Sequence, residues 1–161
     1  MNKKWKKIND SSYEFLMGNK VVGTMELNIS LAQSSAHSII ENKKLEIKRT
    51  GFWKHNIEIS NAESKVLLKV YPEKWYANTW QIEFENRKLK LAVRNNPFAE
   101  YVITENKKEI LAYGLFSDNG KLAIRIISGN QDDLILDFLL WYLFVPIANE
   151  NFGNHYLFAD Q

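Results

Sequence analysis

Histidine and cysteine carry much of the metal and nucleophilic chemistry of proteins, and this sequence is poor in both. It contains three histidines and no cysteine in 161 residues. None of His37, His55 and His155 has a second histidine or a carboxylate at a spacing typical of metal ligands. Motifs of phosphate-binding loops, serine nucleophile elbows and zinc proteases do not occur. We therefore predict no metal, no cofactor and no catalytic residue.

Two sets of carboxylates are placed so that they could support acid–base chemistry. Glu83 and Glu85 lie two residues apart, and a strand would put both on its polar, water-facing side. Asp137 differs because it lies within a long apolar run. A buried carboxylate needs a cationic partner. We predict a buried structural pair between Asp137 and Arg125; a functional acid is the alternative.

Basic residues form clusters that could bind an anion or a lipid surface. The candidate anion-binding residues are Lys48, Arg49, Lys54, Arg87, Lys88 and Arg94. A further cluster, Lys3–Lys7, surrounds Trp5, and Trp53 precedes Lys54. Tryptophan is enriched at lipid interfaces, and each basic residue near an anionic membrane contributes about 1 kcal/mol. Acidic residues interleave these positions, so a mixed, solvated surface is the alternative.

Charge and length limit the class of protein. The 21 Lys and Arg nearly balance the 19 Asp and Glu, and a net charge of +2 does not indicate a nucleic-acid partner. A chain of 161 residues has the size of one domain, so we predict a single domain over 1–161. The basic start is not followed by the apolar run of a secretory signal, which predicts a cytoplasmic protein.

Alternation of apolar and polar residues dominates the chain up to residue 127. In Thr79–Glu85, for example, Trp80, Ile82 and Phe84 alternate with polar residues, as in a strand with one wet face. We predict eleven such strands, over 12–16, 20–28, 36–40, 44–48, 56–60, 66–70, 79–85, 88–94, 100–104, 109–115 and 121–127. The string Glu-Asn-Lys/Arg-Lys recurs at 41–44, 85–88 and 105–108, and we interpret it as a reused turn sequence.

One segment, 132–145, is predicted to form a helix. Leucine-rich filling favours a helix, the acidic residues at 132 and 133 suit its positive end, and Pro146 is predicted to stop it. The run is apolar on every face, so protein or lipid must surround it. Twelve residues span roughly 18 Å, whereas a bilayer core needs about 30 Å. We therefore predict no transmembrane segment. Instead, we predict a closed antiparallel β-barrel of about twelve strands that encloses this helix. A tail, 146–161, follows the helix and is predicted to pack as a final strand at Tyr156–Phe158.

The strands from Tyr13 to Ile127, followed by the apolar helix Asp132–Val145, resemble the tubby C-terminal-like superfamily, which includes the plant LURP-one-related proteins and the phospholipid scramblases. The resemblance implies a twelve-stranded barrel around a central hydrophobic helix. Tubby-like domains bind membrane phosphoinositides through basic residues, but their basic pocket has no residue-by-residue match here. The calcium loop and the cysteine-rich features of scramblases do not occur in this sequence.

These observations favour a non-catalytic binding or adaptor module. Its predicted partner is an anionic, phosphoinositide-like lipid surface or another protein. We expect the helix to fill the barrel and leave no cavity, so that binding takes place on the outer wall or the end loops. Two alternatives stay open: an immunity or antitoxin-like protein that binds a toxin, and an enzyme with a site at a barrel end near Asp137 or His155.

Overall fold

The residues that the structure describes form twelve β-strands and one α-helix. The structure is a computed structural model and describes residues 2–30, 33–51, 53, 55–74, 76–95, 98–129 and 132–152. Its elements are β1 (Lys3–Asn9), β2 (Ser12–Met17), β3 (Lys20–Ser30), β4 (Gln33–Ile40), β5 (Lys43–Thr50), β6 (Asn56–Asn61), β7 (Val66–Pro72), β8 (Thr79–Phe84), β9 (Arg87–Asn95), β10 (Ala99–Glu105), β11 (Lys108–Asp118), β12 (Lys121–Ser128) and α1 (Leu134–Phe152).

The sheet is an antiparallel meander in which every strand pairs with its neighbours in sequence, from β1 to β12. It curls into a nearly closed barrel, which confirms the predicted mainly-β fold class. Strands β1 and β12 are both fully described and share no backbone ladder. We call the gap between them the seam. The Nζ of Lys3 crosses it and donates a hydrogen bond to the Oγ of Ser128 at 3.0 Å.

All eleven predicted strands form, and β1 is the strand that the alternation pattern does not predict. Its inward-facing side chains are Lys3, Trp5 and Lys7; the first two are 3% and 1% exposed. Because two of these three inward residues are lysines, the inner face of β1 shows no apolar row. The segment therefore has the composition of a basic surface cluster although half of it faces the interior.

The recurring Glu-Asn-Lys/Arg-Lys string forms a two-residue hairpin turn at each of its three positions. Both central residues have positive φ, as type I′ turns require: 48° and 67° at Glu41 and Asn42, and 50° and 60° at Glu85 and Asn86. In the third copy the central residues are Asn106 and Lys107, one position later in the string. This difference in register supports reuse of a turn sequence over an internal repeat.

The helix is longer than predicted because it does not stop at Pro146. It continues to Phe152, and Ala148, beyond the proline, is fully buried, so packing favours continuation. The predicted helix bounds, 132–145, are therefore wrong, and residues 146–152 of the predicted tail belong to the helix. The predicted final strand at Tyr156–Phe158 lies outside the described residues. By length and composition Leu134–Asn151 could cross a membrane, with a mean hydropathy of 1.2, while 61% of it is buried in the fold. The length of the helix therefore no longer argues against a membrane span. Its burial within the fold is the remaining argument.

Burial on every side places α1 inside the sheet, as predicted. Four consecutive side chains, Phe138–Trp141, are fully buried, and together they face all directions around the helix axis. The indole of Trp141 stacks on that of Trp5, with ring centroids 5.0 Å apart and planes 7° apart. The ring of Phe138 meets Trp5 edge-on at 4.8 Å. The helix and β1 therefore share one aromatic cluster.

Candidate ligand pocket at one end of the barrel

The meander gives the barrel two different ends. The turn end carries the short turns between β4 and β5, β8 and β9, and β10 and β11, and α1 begins there. The loop end carries the longer connections between β5 and β6 and between β7 and β8. Because α1 starts beside the turn end, its last turns lie toward the loop end. The predicted anion-binding residues are divided between these ends and the outer wall.

Arg87 lies at the turn end and is held by two carboxylates. Its guanidinium donates to Glu105 at 2.8 Å and to Asp133 at 2.7 Å. These hydrogen bonds, that to Glu105 first, raise the pKa of Arg87 above its ordinary value. The pair with Asp133 anchors the start of α1 to β9 and β10. The structure thus gives Arg87 a structural role in place of the predicted anion.

Arg94 is likewise neutralised, toward the loop end of β9. It contacts Glu109 at 2.6 Å and Glu100 at 2.8 Å, and the hydrogen bond to Glu109 is the main cause of the raised pKa of Arg94. The two remaining outer-wall candidates, Lys48 and Lys88, are exposed and lie opposite glutamates on neighbouring strands. Lys54 lies outside the described residues. The six candidates therefore do not form one site.

Arg49 is the exception because its side chain is on the inner side of the barrel. It lies on the same face of β5 as Leu45 and Ile47, which are 9% and 0% exposed. The guanidinium carbon lies 5.8 Å from the ring centroid of Tyr142 on α1. Within the described residues, the ion pairs of up to 4.0 Å do not include Arg49. A half-buried cation thus faces the interior beside an aromatic ring.

A cavity of about 130 Å³ opens beside this guanidinium, and we call it the end pocket. Its lining comes from six strands, the connection between β5 and β6, and the helix: Arg49, His55, Ile57, Val70, Trp80, Leu91, Tyr101 and Leu143. The expectation that the helix leaves no cavity is therefore wrong at the loop end. The side chain of Leu143 is only half-buried, and the helix does not fill the space between it and the surrounding strands.

The end pocket combines one permanently charged group, Arg49, with an imidazole, a phenol and apolar side chains. Burial raises the pKa of Tyr101 and that of Tyr142 above 10.0. The charge of Arg49 opposes both rises, and its hydrogen bond to Tyr142 opposes the second as well. Both phenols are therefore neutral near neutral pH. Ile57, Val70 and Leu91 are buried and form an apolar floor. The chemistry available is thus recognition of an anion that carries an apolar group.

A second polar cluster surrounds Asp137, and it contradicts the predicted pair with Arg125. The partner of Asp137 is Lys3, with its Nζ 2.8 Å from Oδ2, and both side chains are at most 4% exposed. Arg125 points outward instead and stacks on Phe116, 4.4 Å from its ring centroid. The prediction was wrong because side chains alternate along β12: Ile124 and Ile126 face inward, so Arg125 between them faces outward.

Two further residues complete this buried network. Tyr113 donates to Asp137 Oδ1 at 2.9 Å and accepts a hydrogen bond from Trp5 Nε1 at 3.0 Å. Burial, followed by the charge of Asp137, raises the pKa of Tyr113 well above 10.0. The network joins β1, β11, β12 and α1. The carboxylate of Asp137 is 0% exposed, so this network has no direct contact with solvent through Asp137.

The histidines do not assemble a metal site in the part of the chain that the structure describes. His37 is exposed on β4, His55 lines the end pocket, and His155 lies outside the described residues. The described residues hold no group of three or more histidine and carboxylate side chains that could bind a metal ion.

Two signals in the sequence could have identified these sites. Arg49 continues the inward row of Leu45 and Ile47, and Lys3 alternates with Trp5 in the same way. Their positive charge, taken alone, instead predicts a position on the surface.

Comparison with known proteins gives no match: no family model, no curated protein and no solved structure is significantly similar to this chain. The resemblance to tubby-like domains thus stays a prediction that rests on the order of elements.

Proposed function

We propose that this protein is a non-catalytic binding module that docks its loop end on an anionic lipid surface. The observation that carries the proposal is the exposure of two large aromatic side chains at that end, 76% for Trp53 and 66% for Tyr76. Ring systems of this kind have an apolar body and a polar edge, and they are enriched where membranes meet water. Burying them in a headgroup layer would remove apolar surface from water.

The two aromatic residues are close enough to enter one membrane patch. Trp53 lies between β5 and β6, and Tyr76 lies between β7 and β8. These connections are two strand spacings apart, about 10 Å at about 4.8 Å per strand. The remaining exposed large apolar residues of the described chain are aliphatic and lie on strands: Ile8, Val21, Ile39 and Ile127.

Basic groups accompany these aromatic residues. The Nζ of Lys74 lies 5.8 Å from the ring centroid of Tyr76, Lys48 is exposed near the end of β5, and Arg49 opens toward the same end. A basic residue near an anionic bilayer contributes about 1 kcal/mol, so binding would depend on anionic lipid and on salt.

Co-sedimentation with vesicles tests the proposal. We expect the protein to sediment with phosphatidylcholine vesicles that contain phosphatidylserine, to stay in solution with phosphatidylcholine alone, and to be released by salt. The double variant Trp53→Ala/Tyr76→Ala should bind at least about tenfold more weakly, because it removes both interfacial anchors. Ile127→Ala, which removes an exposed apolar side chain of β12, serves as the matched control and should bind as the parent does. Equal binding of the double variant and the control would contradict the proposal.

A further inference from the structure

The end pocket presents a combination that the rest of the described structure does not explain. Arg87 and Arg94 each face two carboxylates, whereas Arg49 faces apolar side chains and the phenol of Tyr142, with which it also shares a hydrogen bond. A guanidinium that is partly removed from water interacts most strongly with an oxyanion held by two parallel hydrogen bonds. The charge of Arg49 is thus positioned for an anion that enters the pocket.

We propose that the end pocket binds a small monocarboxylate with a compact apolar body, whose carboxylate pairs with Arg49 and whose apolar body contacts Trp80 and Leu143. This inference does not depend on membrane docking, because in the undocked protein the ligand can reach the cavity between the sheet and α1 from solution.

The size of the cavity limits the ligand. A dry cavity of about 150 Å³ lined by apolar side chains is known to hold benzene, and the end pocket measures about 130 Å³. A body of about six carbon atoms therefore fits, and a long acyl chain does not. Ile57, Val70 and Leu91 supply the apolar contact at the base of the pocket.

The charge of the cavity favours a carboxylate over a phosphate. Arg49 supplies the only permanent positive charge of the lining, and the imidazole of His55 and the neutral phenol of Tyr101 add hydrogen-bonding groups. A carboxylate carries one negative charge, whereas a phosphate monoester carries about −1.5 to −2 near neutral pH. A phosphate in this pocket would keep an unpaired charge next to buried apolar side chains, which is costly.

Isothermal titration calorimetry of the full chain, without vesicles, tests the inference with four probes: benzoate, benzamide, hexanoate and phenyl phosphate. We expect benzoate to bind at least about tenfold more tightly than benzamide, because the two have similar shapes and only benzoate is charged. Hexanoate tests whether the pocket accepts a flexible alkyl chain in place of a rigid ring, and it should bind more weakly than benzoate. Equal affinities for benzoate and benzamide, tighter binding of phenyl phosphate, or no binding of benzoate at millimolar concentration would each overturn the inference.

Three variants locate the binding site. Arg49→Met should weaken benzoate at least about tenfold, whereas Arg94→Met, which removes a loop-end guanidinium outside the pocket, should leave it unchanged. Leu143→Phe should weaken benzoate by filling the cavity, and it keeps Arg49 intact if Arg49→Met does not fold. Equal losses in Arg49→Met and Arg94→Met, or undiminished binding in Leu143→Phe, would show that benzoate binds elsewhere.

Discussion

At the scale of single residues, the buried ion pair of Lys3 and Asp137 constrains the fold. Two charges have been removed from water, and that is tolerated only when both are paired and hydrogen-bonded. Tyr113 and Ser128 supply the additional hydrogen bonds. Because these groups lie on β1, β11, β12 and α1, they set the position of the helix relative to the seam.

Removing one member of this pair should cost more than removing both. We expect Lys3→Met to lower the free energy of unfolding by about 3–5 kcal/mol, because Asp137 is left as an uncompensated buried charge. The double variant Lys3→Met/Asp137→Leu should recover a large part of this loss. Urea denaturation gives these values, and Lys6→Met, on the exposed face of β1, is the control. A loss in Lys3→Met no greater than that in Lys6→Met would show that the pair is not a constraint.

The buried phenol of Tyr113 predicts a limit to stability at high pH. In the unfolded chain its pKa is near 10, and in the folded protein it is raised well above 10.0. The folded state therefore binds more protons above pH about 10, and stability that is fully present below this pH is lost as pH rises. The variant Tyr113→Phe loses the hydrogen bonds to Asp137 and Trp5, so we expect it to be less stable than the parent near neutral pH. Its free energy of unfolding should nevertheless fall less steeply than that of the parent above pH about 10, as urea denaturation at a series of pH values would show. An equally steep or steeper fall would contradict this role.

At the scale of elements, the approach of α1 to β3 depends on a glycine. A Cβ at Gly23 would lie 2.6 Å from Cζ of Phe138 and 2.7 Å from the carbonyl oxygen of Ile39. Both distances are below normal contact, and the carbonyl oxygen belongs to the backbone, so it cannot rotate away. Gly23 thus allows the ring of Phe138 to pack directly on the sheet.

We expect Gly23→Ala to destabilise the protein by about 1–3 kcal/mol, the usual effect of overpacking a core. Gly129→Ala is the matched control, because its nearest neighbours would lie at an ordinary 3.6 Å. Thermal unfolding of both variants compares them directly. If Gly23→Ala were as stable as Gly129→Ala, the helix would be able to move away from β3 at little cost in free energy.

The elements themselves could be predicted from sequence much better than the sites. Alternation identified eleven strands, because each has one wet and one buried face, and the apolar run identified the helix. The end of that helix was not predictable from Pro146 alone, since burial of Ala148 depends on the surrounding sheet. The partner of Asp137 was also not predictable from the sequence, because Lys3 is 134 residues away along the chain.

At the scale of the whole molecule, the seam divides an otherwise continuous sheet. Its two strands have backbone groups that face the gap without a cross-strand ladder. We expect the amides of β1 and β12 that point into the seam to exchange with solvent about as fast as loop amides. Those of β5, which is paired on both sides, should be protected. Residue-resolved hydrogen exchange measures this difference, and equal protection of seam amides and β5 amides would indicate that the barrel closes in solution.

The position of α1 after the strands has a consequence for synthesis. A ribosome adds about 5–20 residues per second, and it completes all twelve strands before the helix emerges. Hairpins can form as they leave the exit tunnel, because each strand pairs with the one made just before it. Until α1 has left the exit tunnel, however, the concave face of the nascent sheet is apolar and uncovered. That interval is when the growing chain most needs a chaperone, and a slow codon placed there would prolong its exposure.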